Sequence, residues 1–202
     1  MTRALLTGNA AAAWGARLAA ADYVPAFPIT PQTEIIETIA AWMQSGAMPG
    51  RITMFESEHS MLTAAGAAAA SGVRVFTATS SQGLLYGLEM LYACAGWRVP
   101  FVLVNVSRGL AAPITLEADH NDVLAARDSG ALQLHCASCQ EVVDSVLMAY
   151  RLAEHGSGNV KALKGKANEK RLRVGDHRVR FTEEHPDTLR IHTVKNRKDA
   201  YR

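Results

Sequence analysis

Residues 73–106 read VRVFTATSSQGLLYGLEMLYACAGWRVPFVLVNV, and this stretch decides the fold. Two short runs rich in β-branched residues, 73–78 and 99–106, flank an apolar segment of helical length at 82–95. Continuous apolar runs of this kind are typical of parallel strands that are buried on both faces. The stretch therefore predicts a right-handed βαβ unit, and the polar turn after its first strand falls where such sheets bind ligands.

The same alternation of strand-like and helix-like segments runs outward through residues 1–155. Asn9 is the expected N-cap of the first helix, and Thr30 followed by Pro31 is the expected start of the second. Such alternation predicts an α/β fold, a doubly wound parallel sheet with helices on both faces. The further strands are predicted at 23–27, 52–55 and 132–136, and the further helices at 9–21, from 31 onward, at 57–71 and at 140–154.

Lysine is distributed unevenly along the chain. Residues 1–155 contain no lysine, eight arginines and thirteen acids, a net charge of −5. Residues 156–202 contain six lysines, seven arginines and six acids, a net charge of +7. The change falls at Gly156-Ser157-Gly158, a run of turn formers typical of a boundary. We therefore predict a domain at 1–155 and a small, basic, antiparallel β piece at 156–202.

Composition also bears on the compartment. About half of the chain is apolar (49%) and the mean hydropathy is zero, as in globular proteins. No apolar run approaches the roughly 18 residues that a membrane span needs, and the first nine residues lack the apolar core of a secretory signal. Three cysteines do not make a disulfide framework. The expectation is a cytoplasmic protein without membrane association.

Polar segments follow the predicted strands in an order that is specific as a set. They are TGNAA at 7–11, FPITP at 27–31, ESEHS at 56–60, TATSSQGL at 77–84 and DHND at 119–122, with Arg108 and AAPI at 111–114 between the last two. Together they resemble the N-terminal domain of the α subunit of the pyruvate-type 2-oxoacid:ferredoxin oxidoreductases. The resemblance covers residues 1–155.

In that family the corresponding domain holds the aminopyrimidine ring of thiamin diphosphate. A glutamate bonded to the ring favours the imino tautomer, whose exocyclic nitrogen removes the C2 proton of the thiazolium. The resemblance assigns this role to Glu58, which follows a strand and precedes an alanine-rich helix. Glu56 is the competing acid, and its alternative interpretation is a solvated or capping residue.

A 2-oxoacid substrate needs its carboxylate recognised. The resemblance assigns this task to Arg108, whose guanidinium is a planar two-donor fork, and to the hydroxyl of Thr30. The alternative for Arg108 is a surface ion pair. The alternative for Thr30 is a helix N-cap before Pro31, a role that is compatible with substrate contact.

Further polar residues have both a functional and a structural interpretation. Asp119, His120 and Asn121 form a cluster that is either catalytic or a capped helix start. The expected lining of the cofactor pocket has turn and cap roles as its alternative. Its members are Pro28, Ile29, Ser80, Ser81 and Gln82.

The cysteines do not complete a metal site. Cys136 and Cys139 form one Cys-x-x-Cys beside His135, whereas zinc or an iron–sulfur cluster needs four ligands. Cys94, the third cysteine, falls within an apolar helix. A buried pair at a helix start is the favoured interpretation, and no metal and no iron–sulfur cluster are expected in this chain.

The sequence contains no Gly-Asp-Gly motif followed by an Asn-rich stretch, and Gly175-Asp176-His177 does not match one. The resemblance therefore implies that partner subunits of the β and γ/δ types supply the Mg²⁺-diphosphate half of the site, the clusters and the route to ferredoxin. Coenzyme A is a further expected ligand of the assembly. Alone, the chain is expected to be inactive.

Residues 160–202 have a different pattern. Alternation around Gly175-Asp176 predicts a hairpin, and 189–194 predicts a third strand. This part resembles the C-terminal half of the RelE/ParE-type toxins, and by position Arg173, Arg178, Arg197 and Tyr201 match the basic and tyrosine residues of the ribonuclease members. A basic surface that binds nucleic acid weakly is favoured over an active toxin.

These observations lead to one main prediction. The chain is expected to be a component of a 2-oxoacid:ferredoxin oxidoreductase, which uses thiamin diphosphate to decarboxylate a 2-oxoacid such as pyruvate oxidatively and passes the electrons to ferredoxin through partner subunits. The alternatives are a toxin or nucleic-acid-binding protein acting through the C-terminal segment, and a non-functional, truncated gene fusion.

Overall fold

The computed structural model describes residues 4–155, 159–162, 169–174, 177–185 and 188–196, with the backbone alone beyond residue 153. The chain forms two compact units, Met1–Ala153 and Glu154–Arg202. The elements of the first unit are α1 (Gly8–Leu18), β1 (Tyr23–Ala26), α2 (Thr33–Gln44), β2 (Arg51–Met54), α3 (Glu58–Ala70), β3 (Phe76–Thr79), α4 (Gln82–Tyr86), α5 (Leu88–Gly96), β4 (Val102–Asn105), α6 (Asn121–Ala125) and α7 (Cys139–His155).

The four strands are parallel and follow the order β2-β1-β3-β4. β1 pairs with β2, and β3 pairs with β4. A parallel bridge between Tyr23 and Val75 joins the two pairs. Because β2 lies on one side of β1 and β3 on the other, the carboxyl ends of β1 and β3 form a topological switch point. The predicted α/β fold with a parallel sheet is confirmed.

Pro25 limits the backbone pairing between β1 and β3. A proline has no N–H to donate to a ladder, so it is unusual inside a sheet. The Tyr23–Val75 bridge lies at the amino end of β1. At Pro25 a side chain makes the connection instead, since the buried hydroxyl of Thr77 donates to the Pro25 carbonyl oxygen at 2.8 Å. This hydroxyl is therefore part of the sheet's own bonding.

Strand side chains alternate between two apolar layers. Val24 of β1 and Phe76 of β3 pack in one layer with residues of α1, α2 and α7. Tyr23 and Val75 each come one residue earlier in the sequence. They pack on the opposite face of the sheet with residues of α3. The helices therefore cover both faces, as the buried strands predict.

The start of α1 differs from the expectation. The N-cap is Thr7, whose hydroxyl accepts the N–H of Ala10 at 3.0 Å. Asn9 lies inside the helix and donates its side-chain amide to the Pro31 carbonyl oxygen at 2.8 Å. The prediction of Asn9 as the cap is wrong, because Thr7 offers the same capping oxygen two residues earlier.

The start of α2 also differs, since the helix begins at Thr33. Residues 29–32 form a turn in which the Gln32 N–H donates to the Ile29 carbonyl oxygen at 2.9 Å. The buried Gln32 side chain donates to the Phe27 carbonyl oxygen at 2.7 Å and ties this turn to the end of β1. The N-cap role predicted for Thr30 is therefore wrong.

Two other boundaries were predicted incorrectly. The helix expected at 82–95 is divided at Gly87 into α4 and α5. A Cβ at Gly87 would collide with the Leu62 side chain of α3, so glycine permits the close approach of α3 there. Residues 132–136 do not form the predicted strand. They are mostly exposed, and Gln133 donates its side chain to the Val123 carbonyl oxygen at 2.9 Å.

Replacing Gly15 with alanine is expected to destabilise the first unit. A Cβ at Gly15 would lie 2.8 Å from Cβ of Val146, so α1 and α7 would have to move apart. Such overpacking costs about 1–3 kcal/mol, against a gain of roughly 1 kcal/mol in helix propensity. Gly8→Ala, on the same helix with nothing within 4 Å of its Cβ, is the control. Equal melting temperatures for the two variants would contradict the packing.

The second unit is a four-stranded antiparallel sheet. Its strands are β5 (Asn159–Ala162), β6 (Glu169–Val174), β7 (His177–His185) and β8 (Thr188–Asn196), paired in that order. The predicted antiparallel piece is confirmed, with β8 covering the strand expected at 189–194. β5 is a strand that the sequence pattern did not predict. Residues 175–176, where the hairpin turn is expected, lie outside the described residues.

No helix in the described part of the chain combines the length and the apolar character needed to cross a lipid bilayer.

Candidate functional site

The loops that follow the strands are tied together at the carboxyl edge of the sheet. Arg108, after β4, donates its Nε–H to the Thr30 carbonyl oxygen after β1 at 2.8 Å. Ser81, after β3, donates its hydroxyl to the Gly109 carbonyl oxygen at 2.9 Å. The predicted site residues of these three loops are therefore brought together around the switch point between β1 and β3.

Glu58 is the first residue of α3 and is only 6% exposed. Ser57 caps the helix, and its hydroxyl accepts the Ser60 N–H at 3.2 Å. The helix start places the Glu58 carboxylate beside backbone N–H dipoles, which favour a negative charge there. A buried acid is thus held at one end of an alanine-rich helix.

The Glu58 carboxylate packs closely against Gly83. A Cβ built on Gly83 would lie 2.6 Å from Oε1 of Glu58 and would collide with Oγ1 of Thr79. The acid and the hydroxyl therefore both approach the Gly83 backbone at a distance that no other residue type allows. This places the ends of β2 and β3 in one polar site.

Glu56 lies in a different environment. It is exposed, and its carboxylate accepts the hydroxyl of Ser60 at 3.1 Å in the first turn of α3. The structure therefore separates the two acids of this segment by burial. Only Glu58 is enclosed by the site.

The turn after β3 has an unusual backbone. Ser81 is buried with φ +48° and ψ −119°, a conformation that costs a residue with a side chain about 1–3 kcal/mol. Its N–H donates to Oδ2 of Asp122 at 3.1 Å, which together with the bond to Gly109 fixes the turn. Ser80 adds a hydroxyl bond to the Val106 carbonyl oxygen at 2.7 Å. These serines are structural partners of the loops around the site.

Arg108 is 8% exposed, so it is not a surface residue. Its Nε–H and one Nη1–H donate to the carbonyl oxygens of Thr30 and Thr115, at 2.8 and 3.4 Å. A guanidinium has five N–H donors, so these two bonds use two of the five. Both partners are neutral carbonyl groups, so these bonds do not compensate the positive charge of Arg108.

The segment after β1 contributes its backbone to the buried part of the site. Pro28 and Thr30 are exposed, and Ile29 is half-buried. The Thr30 carbonyl oxygen accepts the Arg108 bond, while the residue as a whole is exposed. Thr30 and Arg108 are therefore neighbours, as the expected substrate pair requires.

Several buried oxygens at this edge have no hydrogen-bond partner among the residues that the structure describes. They are Oγ1 of Thr79, Oε1 of Gln82, Oδ1 of Asn105 and Oε1 of Gln32. Leaving one such group unpaired costs about 1–3 kcal/mol, so native proteins rarely tolerate several together. Their concentration at the ends of β1, β3 and β4 is typical of a site that is completed by a bound molecule.

Three site residues, Thr79, Asn105 and Asp122, were not predicted individually. Thr79 and Asn105 end β3 and β4, and they are partners in the register of the parallel pair. Asp122 has no exposed surface, and its Oδ2 accepts from Asn105 Nδ2 at 2.7 Å as well as from Ser81. In the sequence, only their positions point to them. Thr79 and Asn105 are polar residues at strand ends, and Asp122 belongs to the DHND segment.

The neighbouring polar cluster has a capping geometry. Asp119 accepts the Asn121 N–H at 2.7 Å, an Asx-type bond at the start of α6. His120 is exposed, and its ring centroid lies 5.9 Å from that of His135. The structural interpretation is the one that these contacts support.

The cysteines are not the buried pair that was expected, because Cys136 is exposed and Cys139 is half-buried. Burial raises the pKa of the Cys94 thiol. Partial burial of the sulfur and the charge of Glu141 raise the pKa of Cys136, against a lowering by a hydrogen bond with Ser145. Among the described residues, no three His, Cys, Asp or Glu side chains are grouped to hold a metal ion.

The toxin-like residues fall in the second unit. Arg173 of β6 and Arg178 of β7 are partners in the register of these two strands. Arg197 and Tyr201 lie outside the described residues. Their proposed role in nucleic-acid binding or cleavage stays a prediction.

Known proteins resemble the first part of the chain. Residues 14–162 match the family described as pyruvate flavodoxin/ferredoxin oxidoreductase, thiamine diphosphate-binding. Pyruvate synthase subunit PorA of Methanocaldococcus jannaschii is 44% identical over 151 residues, which are 75% of this chain and 39% of that protein. Ketoisovalerate oxidoreductase subunit VorA of Pyrococcus horikoshii is 48% identical over 150 residues, 74% of this chain and 38% of that protein. The chain thus spans about 40% of the length of these relatives.

A solved structure has the same fold. A chain of 2-oxoglutarate:ferredoxin oxidoreductase from Magnetococcus marinus, determined with 2-oxoglutarate, coenzyme A and succinyl-CoA bound, superposes with a TM-score of 0.66 and 24% identity. The match covers 74% of this chain and 27% of that one. The family match at residues 14–162 includes Glu58, Ser81 and Arg108. The chain therefore belongs to the thiamine diphosphate-binding family of the pyruvate flavodoxin/ferredoxin oxidoreductases.

Proposed function

We propose that this chain is the pyrimidine-binding component of a 2-oxoacid:ferredoxin oxidoreductase, acting in oxidative decarboxylation of a 2-oxoacid such as pyruvate. One observation carries the proposal. The buried carboxylate of Glu58 lies against Gly83 at the switch point, beside the Thr79 hydroxyl, which has no hydrogen-bond partner among the described residues. Such a site suits a ligand that donates hydrogen bonds to these oxygens.

The residues fit the aminopyrimidine of thiamine diphosphate. When bound, this cofactor supplies a thiazolium carbon that attacks the keto group of the substrate and holds the electrons after decarboxylation. Glu58 would bond the ring nitrogen and share a proton with it, and Gly83 lets the carboxylate pack closely against the backbone. The proposed lining is completed by Pro28, Ile29, Ser80, Ser81 and Gln82, with Ser80 and Ser81 acting chiefly through the turn that they fix.

The substrate carboxylate is assigned to Arg108 and Thr30. Three N–H groups of the buried guanidinium are unused by the carbonyl bonds, and a buried cation binds a carboxylate more strongly than an exposed one. The Thr30 hydroxyl lies on the residue that accepts from Arg108. The pair would orient the 2-oxoacid by its carboxylate and leave its keto group toward the cofactor.

The remaining parts of the reaction are assigned to partners. We infer that a β-type subunit supplies the Mg²⁺-diphosphate half of a shared site, and that iron–sulfur clusters of other subunits of the γ/δ types carry electrons to ferredoxin. Coenzyme A would enter the assembled enzyme as the acyl acceptor. The relatives support the assembly, since both PorA and VorA are named as subunits.

Co-expression with a β-type subunit and the electron-transfer subunits tests the proposal. The purified complex is expected to reduce a viologen dye when given pyruvate, 2-ketoisovalerate or 2-oxoglutarate together with coenzyme A and thiamine diphosphate. This chain alone is expected to give no reduction. The panel of acids also identifies the substrate.

The matched control is the same complex without added thiamine diphosphate after removal of bound cofactor. Dye reduction that needs no thiamine diphosphate would contradict the proposal. So would a failure of the complex to bind the cofactor in a calorimetric titration. Either result would separate the family membership of the chain from this activity.

A further inference from the structure

The sheet of the second unit has two faces that differ in chemistry. Residues directly opposite each other in an antiparallel pair lie on the same face, and so do residues two apart along a strand. The register of β5–β8 therefore assigns each residue to a face. On one face, the two rows that cross all four strands are apolar except for Lys170. They are Val160-Leu172-Val179-Val194 and Ala162-Lys170-Phe181-Ile191.

The opposite face concentrates positive charge. Its two rows that cross all four strands, which we call the cationic patch, are Asn159-Arg173-Arg178-Lys195 and Lys161-Arg171-Arg180-Thr193. Six of these eight positions are arginine or lysine, and none is an acid. The next row on this face crosses three strands and holds one charge of each sign, Glu169 and Arg190.

The patch pairs like charges directly. Arg171 is the register partner of Arg180, and Arg173 is the partner of Arg178. Like charges directly opposite each other destabilise a sheet, and a solvated face normally carries both signs. Because neighbouring strands run about 4.8 Å apart and alternate residues of a strand about 7 Å, the eight positions occupy an area of about 14 by 7 Å. A bound polyanion would offset this repulsion.

The residue types of the patch indicate which polyanion fits. Four of the six cations are arginine, whose planar fork binds phosphate oxygens through two parallel hydrogen bonds. None of the eight residues is aromatic, so the patch has no platform on which the bases of a single strand could stack. A duplex needs no such platform, and it carries one negative charge per about 1.7 Å of its axis. Contacts to phosphates also carry no information on base sequence.

We propose that the cationic patch binds the phosphate backbone of a nucleic-acid duplex without regard to base sequence. The patch contains no acid, histidine or tyrosine that could move a proton, so the assignment is binding without cleavage. This is an activity of the second unit, and it does not rest on the proposed oxidoreductase function.

Fluorescence anisotropy of the full chain with a short, labelled DNA duplex of mixed sequence tests the proposal. The logarithm of the binding constant is expected to fall linearly with the logarithm of the salt concentration, with a slope of about −5, as for six phosphate contacts on B-DNA. Either strand alone is expected to bind more weakly and with a shallower slope. A duplex of unrelated sequence is expected to bind within about twofold.

Arg171→Gln is expected to weaken duplex binding about eightfold at about 0.1 M salt and to make the slope shallower by about 0.9, the contribution of one phosphate contact. The change also removes a like-charge pair, so the melting temperature is expected to stay equal or rise. Arg180→Gln, which removes the other member of that pair, is expected to behave in the same way. Arg171→Lys keeps the charge and is expected to keep the slope.

Lys170→Gln is the matched control, because Lys170 is the neighbouring residue of β6 and lies on the apolar face. Its variant is expected to bind the duplex with the affinity and the slope of the wild type. Equal losses in Lys170→Gln and Arg171→Gln would overturn the assignment, since they would show a response to net charge alone. A slope that Arg171→Gln leaves unchanged would also overturn it.

Other outcomes would replace the duplex by a different ligand. Tighter binding of either single strand, or a strong dependence on base sequence, would overturn recognition of a duplex through its backbone. Polyglutamate, added at the same concentration of negative charge, is expected to bind more weakly than the duplex. Tighter binding of polyglutamate would identify an acidic protein surface as the partner instead.

Discussion

Glu58→Gln is expected to lower 2-oxoacid oxidation by the assembled enzyme about 10²- to 10⁴-fold, the range that a positioned acid–base group contributes. Glutamine keeps the size of the side chain, so it fits against Gly83, but it cannot share a proton with the ring. Binding of thiamine diphosphate is expected to stay within a few-fold of wild type. Exchange of the C2 proton for deuterium, followed by NMR, is expected to slow in parallel with turnover.

Glu56→Gln provides the control from the same segment. Glu56 is exposed and bonds only the Ser60 hydroxyl among the contacts described, so its variant is expected to turn over at the wild-type rate. Full activity in Glu58→Gln would refute the role of the buried acid. Equal losses in both variants would point to the start of α3 as a structural element instead.

Arg108→Lys is expected to raise the KM for the 2-oxoacid about 10- to 100-fold, because a hydrogen bond to a charged group contributes roughly 1.5–3 kcal/mol. Lysine keeps the charge but loses the planar fork and the Nε donor that holds the Thr30 carbonyl at 2.8 Å. The affinity for thiamine diphosphate is expected to change much less. Steady-state kinetics with the preferred acid, with calorimetry of the cofactor, measures both quantities.

Arg127→Lys is the matched control, because Arg127 is exposed and bonds its neighbour Asp128 at 3.4 Å. It is expected to leave KM and kcat unchanged. A KM in Arg108→Lys equal to that of Arg127→Lys would remove Arg108 from the substrate site. If Arg108→Lys lowered only the melting temperature, the main role of Arg108 would be its bond to Thr30.

The fold was predictable because its strands are short apolar runs with helices between them. The runs at 23–27 and 52–55 both became strands, although only β1 is mostly buried and β2 is exposed at both ends. The helix boundaries that were predicted incorrectly depend on individual side chains. Thr7 and Asn9 offer the same type of capping oxygen, and the division at Gly87 depends on Leu62, which lies far away in the sequence.

The site was predictable where one residue carries the chemistry. The resemblance singled out Glu58, and the structure buries this acid at the start of the alanine-rich α3, against Gly83. Thr79 and Asn105 could not be singled out, because a polar residue at a strand end looks the same whether or not its oxygen has a partner. Asp122 reaches Ser81 across 41 residues and Asn105 across 17, separations that no local pattern reports.

Pro25 in β1 affects how the two halves of the sheet are connected. β2-β1 and β3-β4 each keep a continuous backbone ladder, while the connections between the two halves include the Tyr23–Val75 bridge, the Thr77 hydroxyl bond to Pro25 and the Arg108 bond to Thr30. A small displacement of one half relative to the other at their carboxyl ends would therefore break side-chain bonds. The backbone hydrogen bonds within each half would remain. At the carboxyl edge the two halves are thus joined by side-chain bonds, Thr77 to Pro25 and Arg108 to Thr30, and a substitution at either donor would loosen the sheet beside the proposed ligand site.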